Sequence, residues 1–153
     1  MSRAGESRGR ARAASRLAAV QALYQLEMES PELPVLLHEF HQHRLGAEIE
    51  DAQYAEADVD FFNDVVVGVA RRRDEIDGLI AARLAGGWSL ARLDRTMLQI
   101  LRAGTYELIA RADVPRATAI SEYVDVAHAF FDQREAKFVN GLLDAVAKEA
   151  RAG

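Results

Sequence analysis

Apolar residues recur at steps of three and four along most of the chain, and no stretch sustains strand-like alternation between turn signals. Such spacing belongs to helices that bury one face. The punctuation agrees with it. Pro31, Pro34 and Pro115 are the only prolines, and they fall between periodic segments. Ala, Leu, Arg and Glu, all good helix formers, dominate elsewhere. The expected fold class is therefore all-α, a single compact bundle of six or seven helices. At 153 residues the chain is long enough for one domain with a real core.

The first helix is expected from about Arg10 to Glu29, with Ala13, Leu17, Val20 and Tyr24 as its apolar stripe. Arg12 and Arg16 stand one turn apart and so project together beside that stripe. Residues 1–9 are small, polar and Gly-punctuated, and read as a flexible basic arm leading into a helical domain over 10–153. Pro31 and Pro34 end the first helix and open a second over roughly 34–45. Residues 46–57 are acidic and weakly patterned and read as a loop, after which Asp58 can cap the next helix. Val59, Phe62, Val66 and Val69 give that helix its buried face. Ile76, Leu79, Ile80 and Leu84 resume the pattern beyond Arg71-Arg72-Arg73, which marks a break.

Gly86-Gly87 is a stop signal. Ser89 or its neighbours are expected to start a helix with Leu90, Leu93, Met97, Ile100, Leu101 and Leu108 on its buried side. Val114-Pro115 ends it. Ala117, Ile120, Val124, Ala127 and Phe131 form the next stripe. After a short connection at 132–134, the last helix holds Phe138, Val139, Leu142, Leu143 and Val146. Tyr24 and Tyr106 lie on apolar stripes and are expected in the core with their hydroxyls at its rim.

Charge adds a second constraint. The net of −5 hides an asymmetry, because residues 1–16 carry five arginines against Glu6 alone, a net of +4, which leaves −9 on the remainder. A basic leading segment on an acidic body suits a polyanion for the first and a basic protein for the second. The absence of cysteine excludes disulfides, thiolate nucleophiles and Cys-based zinc sites. No apolar run approaches the roughly 18 residues of a membrane span, and no apolar signal-peptide core opens the chain. A cytoplasmic protein is expected.

No catalytic constellation assembles from the residues. A Walker-type loop, a GxGxxG after a strand and a nucleophile-elbow serine are all missing. "HEFHQH" at 38–43 is not HExxH, and it reads as an exposed polar helix face rather than a metal site. Arg71-Arg72-Arg73 is followed at once by Asp74, Glu75 and Asp77, so it reads as a solvated face. Trp88 could stack on a base, but a lone Trp at a helix entrance is more often a packing anchor, and that role is expected. The chain is expected to be no enzyme and to need no cofactor and no metal.

One stretch resists a purely structural reading. "KFVNGLLDAV" at 137–146 puts the turn dipeptide Asn140-Gly141 inside a helical pattern. Glycine in a helix interior costs about 0.5–1 kcal/mol relative to alanine. Such a cost is tolerable where a backbone must approach something closely, so Gly141 is expected to let this helix pack tightly near its start.

Three stretches together resemble the NusB family of bacterial transcription antitermination factors. They are "ARAASRLAAVQALYQLE" at 11–27, "LDRTMLQILRAGTYELIARADVPRATAISEYVDVAHAFF" at 93–131 and "KFVNGLLD" at 137–144. The resemblance implies an all-helical, NusB-like domain that binds single-stranded boxA RNA. It implies NusE, which doubles as a small-subunit ribosomal protein, as a partner, and an RNA polymerase antitermination complex acting on ribosomal RNA operons. Carried over position by position, it implies RNA contacts at Arg12, Arg16, Arg116, Lys137, Phe138 and Asn140. Ala13 and Ala14 stand where some relatives are basic, so Arg8 and Arg10 are expected to compensate. Phe138 either stacks on an unpaired base or belongs to the core, and Asn140 either faces RNA or anchors a buried hydrogen bond. Arg134 lies in a connection that is often more acidic in the family, which leaves its part doubtful. Two other readings stand beside this one: a protein-binding helical adaptor that touches no RNA, and a region related to ribosomal RNA cytosine methyltransferases.

Overall fold

The computed structural model describes residues 3–45 and 58–151, with side chains over 8–42 and 58–151. Among these residues there are seven α-helices and no strand. None of the described helices is long and apolar enough to cross a membrane. The chain divides into two compact units, residues 1–67 and 68–153.

The first unit opens with α1 (Arg3–Glu29). This helix starts seven residues before the expected Arg10, so residues read as a loose arm are helical from Arg3. Its buried face also differs from the expected stripe. Val20 is buried as expected, along with Ala11, Ser15, Ala18, Ala19, Ala22 and Leu23, whereas Leu17 is half-buried, Ala13 is exposed and Tyr24 is 40% exposed. Alanine is spread all round this helix, so the large apolar side chains alone do not place the centre of its buried face. Ser30 ends α1 in the left-handed region (φ 51°), its N–H donating to the Leu26 carbonyl at 3.0 Å.

Next comes α2 (Leu33–Glu39), with Pro34 in its first turn, which runs into a π-helical turn over Phe40–Leu45. Phe40 stacks on Phe62 of α3 (Val59–Arg71) with centroids 5.6 Å apart. His41 is half-buried, lies edge-on to Phe62 and bonds Asn63 Oδ1 at 2.7 Å. It therefore departs from the exposed polar face expected of "HEFHQH", although His38 is exposed. Asp58 caps α3 as expected, its Oδ1 accepting the Phe61 N–H at 2.9 Å. The predicted loop at 46–57 lies outside the described residues.

In the second unit, Arg72 is a turn residue between α3 and α4 (Arg73–Ala81), which is the break that the three arginines signalled. The loop beyond α4 passes through Gly86 (φ 45°) and Gly87 (φ 81°), a conformation that only glycine adopts without strain. Ser89 starts only a 3₁₀ turn, Leu90–Arg92. The next α-helix, α5 (Arg95–Ala110), is capped by Asp94, whose carboxylate accepts from Thr96 N at 2.8 Å and Met97 N at 3.1 Å. Helices α6 (Arg116–Phe130) and α7 (Gln133–Ala150) follow, and α4, α6 and α7 all pack on α5.

Being enclosed, α5 is buried without a break from Met97 to Leu108, far beyond its predicted stripe. Most of its buried polar side chains are paired, as low-dielectric surroundings demand, and the Thr105 hydroxyl is the exception. Arg102 donates to both Asp77 carboxylate oxygens at 2.8 and 2.9 Å, and the Tyr123 hydroxyl donates to Glu107. On α6 the buried line is Ala119, Ile120, Tyr123, Val126 and Ala127, with Ala117 exposed and Val124 and Phe131 only half-buried. Two overlapping ladders of three and four run along that helix, and the polar hydroxyl of Tyr123 hides the true one.

Candidate nucleic-acid interface

The expected RNA contacts fall in both units, and their surroundings differ. On α1, Arg8 and Arg10 are exposed. Arg12 is half-buried: its Nε bonds Asp58 Oδ2 at 3.2 Å and its guanidinium lies 4.6 Å from the Phe61 ring centroid. Arg16 is only 3% exposed, its guanidinium 4.9 Å from the same ring. The one-turn spacing thus does bring the pair together, but against an aromatic ring and not out into water. Ser15 reinforces the arrangement by donating to the Asp58 carbonyl at 3.0 Å.

Within the second unit, Arg116 opens α6 and reaches Asp144 of α7 at 2.7 Å. That guanidinium, together with Lys148, holds the Asp144 carboxyl below its ordinary range. Arg72 grips Glu75 with two bonds of 2.8 and 3.0 Å, and that hydrogen bonding lowers the Glu75 carboxyl likewise. Arg71 and Arg73 are exposed, as a solvated face requires.

The start of α7 carries the most exposed part of the expected set. Asp132 and Glu135 form a capping box that sets where the helix begins. From there Lys137, Phe138, Asn140 and Gly141 all face outward, while Val139, Leu142 and Leu143 face inward. Phe138 is 38% exposed, which rules out the core alternative, and Asn140 is no buried anchor. Tight packing at Gly141 is also overturned, because a Cβ there would meet nothing within 4 Å. The glycines that do allow close approach are Gly68, where a Cβ would lie 2.2 Å from Tyr106 Cζ, and Gly104, where it would lie 2.8 Å from Leu143 Cδ1.

Phe138 is not isolated. It lines a groove of about 490 Å³ together with Trp88, Arg92, Met97, Phe131 and Arg134. Trp88 is 57% exposed, so it is not the packing anchor that its position suggests. The Arg92 guanidinium lies 5.6 Å from the Trp88 ring centroid and donates to the Gly87 carbonyl at 2.8 Å. Arg92 escapes a reading of the sequence; its one visible signal is the four-residue spacing from Trp88. Aromatic faces beside cations can stack an unpaired base and hold the phosphate attached to it. Among the described residues no cluster of three or more His, Cys, Asp or Glu side chains could hold a metal.

The NusB family model matches residues 13–148. The transcription antitermination protein NusB of Novosphingobium aromaticivorans is 76% identical over 143 residues, covering 94% of this chain and 97% of that protein. Among solved structures, T. maritima NusB superposes with a TM-score of 0.73 at 32% identity over 90% of this chain and 91% of that one. A structure described as antitermination factors NusB and NusE in complex with dsRNA gives 0.72 at 26% identity, over 92% and 98% of the two chains. This chain belongs to the NusB family.

Proposed function

We propose that this protein is a non-enzymatic, cytoplasmic antitermination factor. It binds boxA-type single-stranded RNA together with NusE and supports transcription of ribosomal RNA operons within an RNA polymerase complex. The observation that carries the RNA-binding part is the outward-facing Lys137, Phe138 and Asn140 beside an aromatic groove, which offers cation and π-face together. The NusB–NusE–RNA complex among the structural relatives supports the choice of partners.

Burial sorts the contacts on this reading. Arg8, Arg10 and Lys137 are exposed and supply the first phosphate contacts, with residues 1–9 as the basic arm. Arg12 and Arg116 contribute from ion pairs they already make, and Arg16 chiefly holds Phe61 in place. Three to five phosphate contacts give a slope of log affinity against log salt of about −2 to −3.5, at roughly 0.7 per contact for single strands. Filter binding of a boxA-like RNA across a salt series, with and without NusE, tests this. Arg8→Ala with Arg10→Ala should lower affinity and flatten the slope by about 1.4. A flat salt dependence in the unaltered protein would overturn the proposal, and unchanged affinity in the double variant would remove the arm from it.

A further inference from the structure

Trp88 stands out as a large ring left in water on a loop whose shape is fixed. Gly86 and Gly87 set the turn with positive φ, and the Trp88 N–H donates to the Ala85 carbonyl at 3.2 Å. Arg92, held by the Gly87 carbonyl, backs the indole. An exposed aromatic in a pre-ordered setting loses little freedom when something flat settles on it.

The other walls narrow down what that is. Phe138 presents a second exposed ring to the same groove, and buried Met97 and Leu93 line it as well. Two carboxylates border the groove, but both serve the backbone. Asp94 caps α5, while Glu135 accepts from the Asp132 N–H at 3.2 Å and pairs with Arg134 at 3.3 Å. Arg92 and Arg134 balance these two carboxylates, and Lys137, exposed beside Phe138 in the same turn of α7, adds a further positive charge. An occupant with flat apolar faces and a tethered negative charge matches that combination, whereas an acidic peptide would leave the two rings unused.

We infer that Trp88, Arg92 and Phe138 form a stacking subsite for one unpaired nucleobase of the bound RNA, with the adjoining phosphate drawn toward Arg92. The subsite deepens, and rests on, the RNA-binding reading given above. Trp88 is its principal platform, because indole is the most exposed ring in the groove and the strongest partner for a cation. Phe138 supplies the second face.

Trp88 is also the only tryptophan in the chain, so intrinsic fluorescence reads this position alone. The full-length protein is titrated with a single-stranded boxA-like oligoribonucleotide while retention on filters is measured in parallel. Quenching of the indole at the same midpoint as filter retention is expected. Trp88→Ala should weaken retention about tenfold, and Trp88→Phe should restore most of that loss, since stacking tolerates any π-face. Normal retention with unchanged emission and an unaffected Trp88→Ala variant would overturn the subsite and leave the RNA-binding reading standing. No retention of the RNA by the unaltered protein, with or without NusE, would overturn both. Emission that responds to NusE alone and never to RNA would assign the groove to a protein and overturn the subsite.

Discussion

Gly104 and Gly141 both lie inside helices of the second unit, and their surroundings are opposite. Gly104 sits in the enclosed α5, where an added methyl would press on Leu143 and lie 3.4 Å from Tyr123. Gly141 sits on the outer face of α7, where the same methyl would touch nothing. The first is explained by close helix packing, and Gly68 against Tyr106 repeats that logic more severely. The second gains nothing from the fold and still forgoes about 0.5–1 kcal/mol of helix stability. A helix that keeps such a residue beside Lys137, Phe138 and Asn140 fits a surface where a ligand backbone comes close.

The contrast can be broken at either end. Gly68→Ala should have the largest effect, lowering stability by about 2–3 kcal/mol because the buried Tyr106 ring must move. An unchanged melting temperature would mean that the close approach at α3 is not real. Arg151→Ala comes next. That guanidinium donates to the carbonyls of Leu108, Val114 and Arg111 at 2.8–2.9 Å and of Glu107 at 3.2 Å, so it satisfies the C-terminal end of α5 from the end of α7. Its loss should cost about 1.5–3 kcal/mol and speed amide exchange over residues 111–114.

Gly141→Ala should act in the other direction, raising stability by about 0.5–1 kcal/mol, or a melting temperature gain of roughly 1–4 °C. If the open face is where RNA approaches, the same variant should bind a boxA-like RNA more weakly, and a stability gain with full affinity would make Gly141 a neutral position. The smallest effect concerns pH. Asp144 is held below its ordinary carboxyl range by Arg116 and Lys148, so its contribution is present above the unfolded-state value near pH 4 and is lost as pH falls through the lower folded value. The urea midpoint should therefore fall slightly less on acidification in Asp144→Asn than in the unaltered protein. Because the group is exposed, equal falls would mean that solvent screens the pair completely.

Much of the fold could be read before any coordinates. The break at Arg72, the cap at Asp58 and the buried face of α3 all follow from local rules about charge, capping and spacing. The candidate site was legible only in part. The exposed Lys137 and Phe138 stand where the family resemblance puts them, yet Trp88 and Arg92 make a surface that a single tryptophan in a glycine-rich loop does not announce. Arg16 was less legible, since nothing in its local spacing announces its burial against Phe61.

By itself, the sequence determined that this chain is helical, where most of its helices break, and that its leading segment is net positive on an acidic remainder. Those properties rest on backbone propensity and apolar spacing, which act over a few residues. Only the tertiary structure decided which side of α1 and α6 is inside and how much of α5 is enclosed. Tyr24 and Trp88 are left in water, Arg102 and Glu107 are taken into the core with their partners, and Gly104 rather than Gly141 is the residue on which packing depends. Burial is a property of what lies opposite, and the residues opposite are distant in the chain, so local spacing left the faces of α1 and α6 undecided.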